Sequence, residues 1–72
     1  MVRVGFIGLG GMGRYQAGAF AKVKGCAVAA GSDVSPESRA EFAREHPGAT
    51  VFEDHRAMLR AGVDAVVLAT PT

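Results

Sequence analysis

Cysteine, proline and charge imbalance are all scarce in this chain of 72 residues, which has one Cys, three Pro, and eight Lys+Arg against seven Asp+Glu. A single thiol, Cys26, has no internal disulfide partner, and without clustered His or Cys nearby in sequence it does not read as a metal site. It reads as a small core residue. A net charge of +1 supplies no basic stripe to neutralise phosphates, which argues against a nucleic-acid partner. No apolar run approaches the roughly 20 residues that cross a bilayer. Met1-Val2-Arg3-Val4 enters strand-like sequence at once, without a charged leader or small-residue cleavage site, so no signal peptide is expected. Repeats, linkers and low-complexity tracts are missing too. These absences set the expectation of a soluble cytoplasmic protein with neither a membrane nor a nucleic-acid partner.

What is present is a 49 % hydrophobic chain with 10 Gly, a globular rather than a disordered composition. A domain this small buries only about 60 % of its unfolded surface. Val2 to Ile7 is a short β-rich run that ends at Gly8. Arg14 to Lys24 has good helix formers, with Gly13, Ala17 and Phe20 on one face and Lys22 and Lys24 expected in the last turn, where cations suit the helix dipole. Gly25 is the expected stop. Cys26 to Gly31 is continuously apolar and too short for a helix, as in a strand covered on both faces.

Ser35-Pro36 is an N-cap followed by proline in the first helical position, and the helix runs to Glu45 before His46-Pro47-Gly48 breaks it. Ala49 to Phe52 reads as a short strand. Asp54 caps a brief helix through Ala61 that Gly62 ends. Val63 to Ala69 is a further apolar strand, and Thr70-Pro71-Thr72 turns out of it. The order is β-α-β-α-β-α-β. Alternation with buried strands means a parallel sheet with right-handed crossovers and helices on both faces, an α/β architecture.

Gly8, Gly10 and Gly13 match G-x-G-x-x-G. The pattern is weak alone and strong here, because it follows a strand, opens a helix and precedes a second strand ending in an acid. Gly8 permits a tight turn, Gly10 lets backbone approach a diphosphate, and Gly13 lets the helix lie close on the strands. The free N–H groups and positive dipole end of that helix would meet the diphosphate. Asp33 follows Gly13 by 20 residues, the spacing at which a carboxylate accepts from both adenosine-ribose hydroxyls and repels a 2′-phosphate. NAD is therefore expected over NADP, with Arg14 and Arg39 the cations that could meet a 2′-phosphate. The plainer readings are a glycine turn used only for close packing and an aspartate that only caps the next helix.

Together these features define a partial Rossmann-type dinucleotide-binding fold, with an expected strand order of 3-2-1-4. His46, His55 and Cys26 are read as surface or packing residues, and Glu53-Asp54 as a strand end and a helix cap. Thr70 and Pro71 follow the fourth strand at the carboxyl edge of the sheet, where ligands bind at the switch point.

V-R-V-G-F-I-G-L-G-G-M-G at the start, S-D-V-S-P-E-S-R-A in the middle and V-D-A-V-V-L-A-T-P-T at the end together resemble the amino-terminal part of the Gfo/Idh/MocA oxidoreductases. The resemblance covers essentially the whole sequence but only the front of a family chain several-fold longer. It implies reversible hydride transfer between a sugar or cyclitol hydroxyl carbon and a nicotinamide cofactor. By position it implies that Gly8, Leu9, Gly10, Gly11, Met12 and Gly13 form the diphosphate turn, that Asp33 holds the adenosine ribose, and that Thr70 and Pro71 sit beside the cofactor.

Gln16 stands where the family often has histidine. The family's Glu-Lys-Pro segment, its catalytic histidine and its second, open-sheet domain lie past the fourth strand. Residues 1–72 are thus expected to be the amino-terminal portion of an NAD-binding domain, without the second mononucleotide half, the substrate domain or catalysis of their own. An exposed edge on the fourth strand would invite self-association. Two other readings stay open: an enzyme of the 3-hydroxyisobutyrate dehydrogenase type, which shares the F-I-G-L-G-x-M-G opening, and a stand-alone NAD-binding or sensing module.

Overall fold

A computed structural model describes residues 1–69. Seven elements alternate along them: β1 (Val2–Ile7), α1 (Gly11–Ala21), β2 (Cys26–Ser32), α2 (Pro36–Glu45), β3 (Thr50–Phe52), α3 (His55–Ala61) and β4 (Ala65–Leu68). The four strands form one parallel sheet in the order β3-β2-β1-β4. The expected order is the observed one. The reversal at β1, where the chain first builds outward to β3 and then returns to β4, opens a crevice at the carboxyl edge of the sheet. Between Val4 and Gly5 the β1–β2 register slips, leaving Ala29 as the extra residue on β2.

Side chains alternate across β1. Val4 and Phe6 point to the face that carries α1 and α2, while a Cβ on Gly5 would meet Met58 of α3 on the other face. Val4, Phe6, Leu9, Ala17 and Phe42 form the main buried cluster, with Phe20, Cys26, Val28, Ala49, Val51 and Val67 packed around it. Phe6 meets Phe20 edge-on at 5.7 Å between ring centroids and lies 6.2 Å from Phe42. Each large apolar side chain withdrawn from water in this way contributes about 1.5–3 kcal/mol. Arg14 bridges from α1 to Glu41 and Glu45 of α2 at 3.4 and 3.7 Å.

The helix boundaries follow local chemistry. The Ser35 Oγ accepts from the Ser38 N–H at 3.2 Å, and Pro36 occupies the first turn of α2. Asp54 accepts from the Arg56 N–H at 2.8 Å and caps α3, which Gly62 ends at φ 93°. One expectation is corrected: α1 stops at Ala21, so Lys22 is its C-cap and neither Lys22 nor Lys24 lies in the last turn. The Lys22 and Val23 N–H groups turn back onto the carbonyls of Ala19 and Phe20, which tightens and closes the helix early. His46 also departs from a plain surface role, since its ring lies 5.1 Å from Phe42 and half-buries there.

Candidate functional site

The residues between β1 and α1 make a turn that only glycine could trace. Gly8 has φ 97°, a left-handed conformation, and its N–H donates to the Ser32 carbonyl at 2.9 Å. A Cβ on Gly13 would stand 1.9 Å from the Gly8 carbonyl oxygen, so the missing side chain is what lets α1 reach the end of β1. Leu9, between these glycines, is fully buried, and its Cδ2 fills the space a Cβ on Gly31 would need. The turn is pinned from below by an apolar side chain and left bare above.

At Gly10 and Gly11 an added Cβ would meet nothing within 4 Å among the described residues. Gly10 is the N-cap of α1, no side chain caps it, and the first turn holds no acid. The amide groups and positive dipole end there remain available to an anion. Met12 is 62 % exposed beside them.

Asp33 closes β2 beside this turn. Its Oδ2 accepts from the Leu9 N–H at 2.8 Å and its Oδ1 from the Ser35 N–H at 2.8 Å. Its carbonyl accepts from Arg39 Nη1 at 2.8 Å, and its own N–H donates to the Phe52 carbonyl at 3.1 Å. A carboxylate has about four lone-pair sites, and the described residues fill two of them. Asp33 borders a crevice of about 190 Å³ lined also by Ile7, Gly8, Ser32, Val34, Glu53 and His55. The helix-entry role weighed for Asp33 and its place in the crevice thus coexist, one oxygen being tied to each neighbour. A wider depression of about 400 Å³ between α1 and α2 is lined by Gly11, Arg14, Tyr15, Gly18, Glu45 and His46, so it reaches the first residue of α1.

The structure therefore brings together Gly8, Leu9, Gly10, Gly11, Met12, Gly13 and Asp33. Thr70 and Pro71 lie outside the described residues. His55, read as a surface residue, is exposed as expected; it opens α3 three residues past the end of β3 and also lines the crevice. Its position just past a strand end was the available signal. Beside it, the side chain of Arg56 hydrogen-bonds Asp54 and holds that carboxyl below its usual range. Among the described residues no His/Cys/Asp/Glu group could hold a metal ion, and no helix is long and apolar enough to cross a membrane.

A parallel sheet with this strand order, a glycine turn feeding an uncapped helix, and an acid at the end of the second strand define a dinucleotide-binding Rossmann domain. Comparison with known proteins agrees. The model of the Gfo/Idh/MocA oxidoreductase family, NAD-binding Rossmann fold, matches residues 2–72, and the chain belongs to that family.

Among solved structures it is similar to scyllo-inositol dehydrogenase from Lactobacillus casei, crystallised with NAD(H) and scyllo-inositol. Identity is 30 % and the TM-score 0.89, over 99 % of this chain and 22 % of that one. Myo-inositol dehydrogenase from the same organism, in complex with NAD(H) and myo-inositol, matches at 30 % identity and TM-score 0.89, over 97 % of this chain and 22 % of that one. An NAD-binding protein from Listeria innocua matches at 31 % identity and TM-score 0.85, over 97 % of this chain and 20 % of that one. This chain spans about a fifth of the length of these relatives. No curated protein matches it.

Proposed function

We propose that the crevice holds NAD, with Gly8, Leu9, Gly10, Gly11, Met12 and Gly13 facing the diphosphate and Asp33 the adenosine ribose. The observation that carries this reading is Asp33, which lines the crevice beside the bare turn and whose two carboxylate oxygens each accept one hydrogen bond from the described residues. Thr70 and Pro71 would stand beside the same cofactor. Once bound, the nicotinamide ring supplies a hydride acceptor or donor.

NAD is preferred to NADP because a carboxylate at the ribose repels a 2′-phosphate. Both nearby cations have partners in the fold, though Arg39 keeps N–H groups that its one bond does not use. Arg39 donates to the carbonyl of Asp33 itself, and Arg14 is paired with Glu41 and Glu45.

Family membership and the inositol-bound relatives support a sugar or cyclitol as the substrate of the whole enzyme, oxidised at a hydroxyl carbon. That step needs a substrate pocket and a proton acceptor within hydrogen-bond reach. Lys22 and Lys24 stand at the far end of α1 from the turn, so the 72 residues by themselves are expected to bind cofactor without turning it over. Along β4, which pairs only with β1 among the described residues, the unpaired outer edge favours self-association.

Titration calorimetry with NAD and NADP tests the cofactor reading. NAD should bind more tightly by about tenfold or more, and Asp33→Ala should weaken NAD and narrow the gap. Equal affinities for the two cofactors in the unaltered chain would overturn the preference. Substrate-dependent NADH formation by the purified chain would overturn the expected lack of turnover.

A further inference from the structure

We propose that Asp33 is also a positioning residue for the diphosphate-facing turn, holding it through the Leu9 N–H before any dinucleotide arrives; this deepens the cofactor reading above and rests on it. The turn is fastened to the body of the domain at three points. The Gly8 N–H donates to the Ser32 carbonyl at 2.9 Å, the Leu9 side chain is buried over Gly31, and the Leu9 N–H donates to Asp33 Oδ2 at 2.8 Å. The first is backbone and the second is apolar. Only the third is charge-assisted, the stronger kind of hydrogen bond, and it joins segments 24 residues apart.

The carboxylate is itself held in orientation. The Ser35 N–H occupies Oδ1 at 2.8 Å, and Arg39 secures the carbonyl of the same residue. A carboxylate gripped on one oxygen by the entrance of α2 is a fixed post, and the other oxygen sets where Leu9 sits. Leu9 lies between the left-handed Gly8 and the N-cap Gly10, so its amide plane determines how the following free N–H groups face the crevice. A negative charge close to a diphosphate is unfavourable by Coulomb's law. A residue that only gripped the ribose would therefore give no help to a ligand without ribose hydroxyls. A residue that shapes the turn would help both.

The experiment compares NAD with an NAD analogue whose adenosine ribose lacks both hydroxyls, titrated into the full chain and its Asp33 variants. Asp33→Ala should bind the analogue about five- to tenfold more weakly than the unaltered chain, despite the lost repulsion. Asp33→Asn has one acceptor oxygen where the carboxylate has two, and its NH2 cannot accept from the second N–H, so it should bind the analogue more weakly than the unaltered chain but more tightly than Asp33→Ala, while losing affinity for NAD. In the ligand-free protein, the Leu9 amide proton should exchange with solvent faster in Asp33→Ala than in the unaltered chain.

Unchanged or tighter binding of the analogue by Asp33→Ala would overturn the proposal, as would equal exchange rates of the Leu9 amide proton in that variant and in the unaltered chain. Equal affinity of the unaltered chain for NAD and the analogue would instead overturn the ribose grip. The two readings therefore fail separately.

Discussion

The β1–α1–β2 and β3–α3–β4 crossovers share one strand–helix–strand plan but hold their helices in different ways. In the first, side chains are removed where elements meet: a Cβ on Gly13 would collide with the Gly8 carbonyl oxygen at 1.9 Å, and α1 has no side-chain cap. In the second, side chains are supplied: Asp54 caps α3, Met58 is fully buried over Gly5, and Arg3 ties the entry to β4 through the Gly62 carbonyl and through its N–H to Asp64 at 2.9 Å. The first ends at the crevice. The second ends in a strand with Ala65, Val66 and Leu68 exposed. A binding turn needs free amide groups, and a capped helix has already used some of its own. Emptiness in the first crossover is thus the functional feature, and capping in the second is the structural one.

The largest test of this contrast is Gly13→Ala. Backbone lies where the new Cβ must go, so α1 has to shift off the sheet, at a cost of about 3 kcal/mol or more. Urea denaturation should show the loss, and calorimetry should show NAD binding abolished. Met58→Ala follows at about 2–3 kcal/mol from a cavity on the other face, with NAD affinity per folded molecule retained. If the alanine at Met58 proved the more damaging to NAD binding, the division between the two crossovers would be wrong.

Gly10→Ala separates site from scaffold most directly. Its Cβ meets nothing among the described residues and its φ is −70°, so stability should change by less than about 1 kcal/mol. NAD affinity should still fall, by about tenfold, because the methyl enters the space assigned to the diphosphate. Full affinity in that variant would place the diphosphate elsewhere.

The smallest effect belongs to α3. Arg56 lowers the pKa of Asp54, so the stabilisation is complete above the ordinary aspartate value of about 3.9 and is lost as pH falls below it, through the lowered value in the folded protein. Urea midpoints at about pH 6 and about pH 3 should therefore differ more in the unaltered chain than in Arg56→Ala. Since both groups are exposed, the difference is small and shrinks in salt.

Much of this was readable from local pattern. Ser35-Pro36, Asp54 and Gly62 mark helix ends through chemistry confined to a few neighbouring residues, and each stands where expected. Strand order followed from the dinucleotide-fold reading of the glycine turn and the acid after β2, which carries the order 3-2-1-4 with it. The α1 end at Ala21 was missed because Lys22 and Val23 choose between two sets of nearby carbonyls, a choice helix propensity does not make. His55 was missed as a crevice residue because its role depends on where β3 ends beside β2, not on its neighbours in sequence.

The amino-acid sequence alone determined the element order, the glycine turn and the acid that follows it, since turns, caps and periodicity are short-range properties of the chain. Only the tertiary structure decided that one Asp33 oxygen holds Leu9 and the other Ser35, that Leu9 seals the turn over Gly31, and that Met58 covers Gly5. Those relations join residues far apart in the chain, and they exist only once the sheet has brought the strand ends to a common edge and the helices have settled on its two faces.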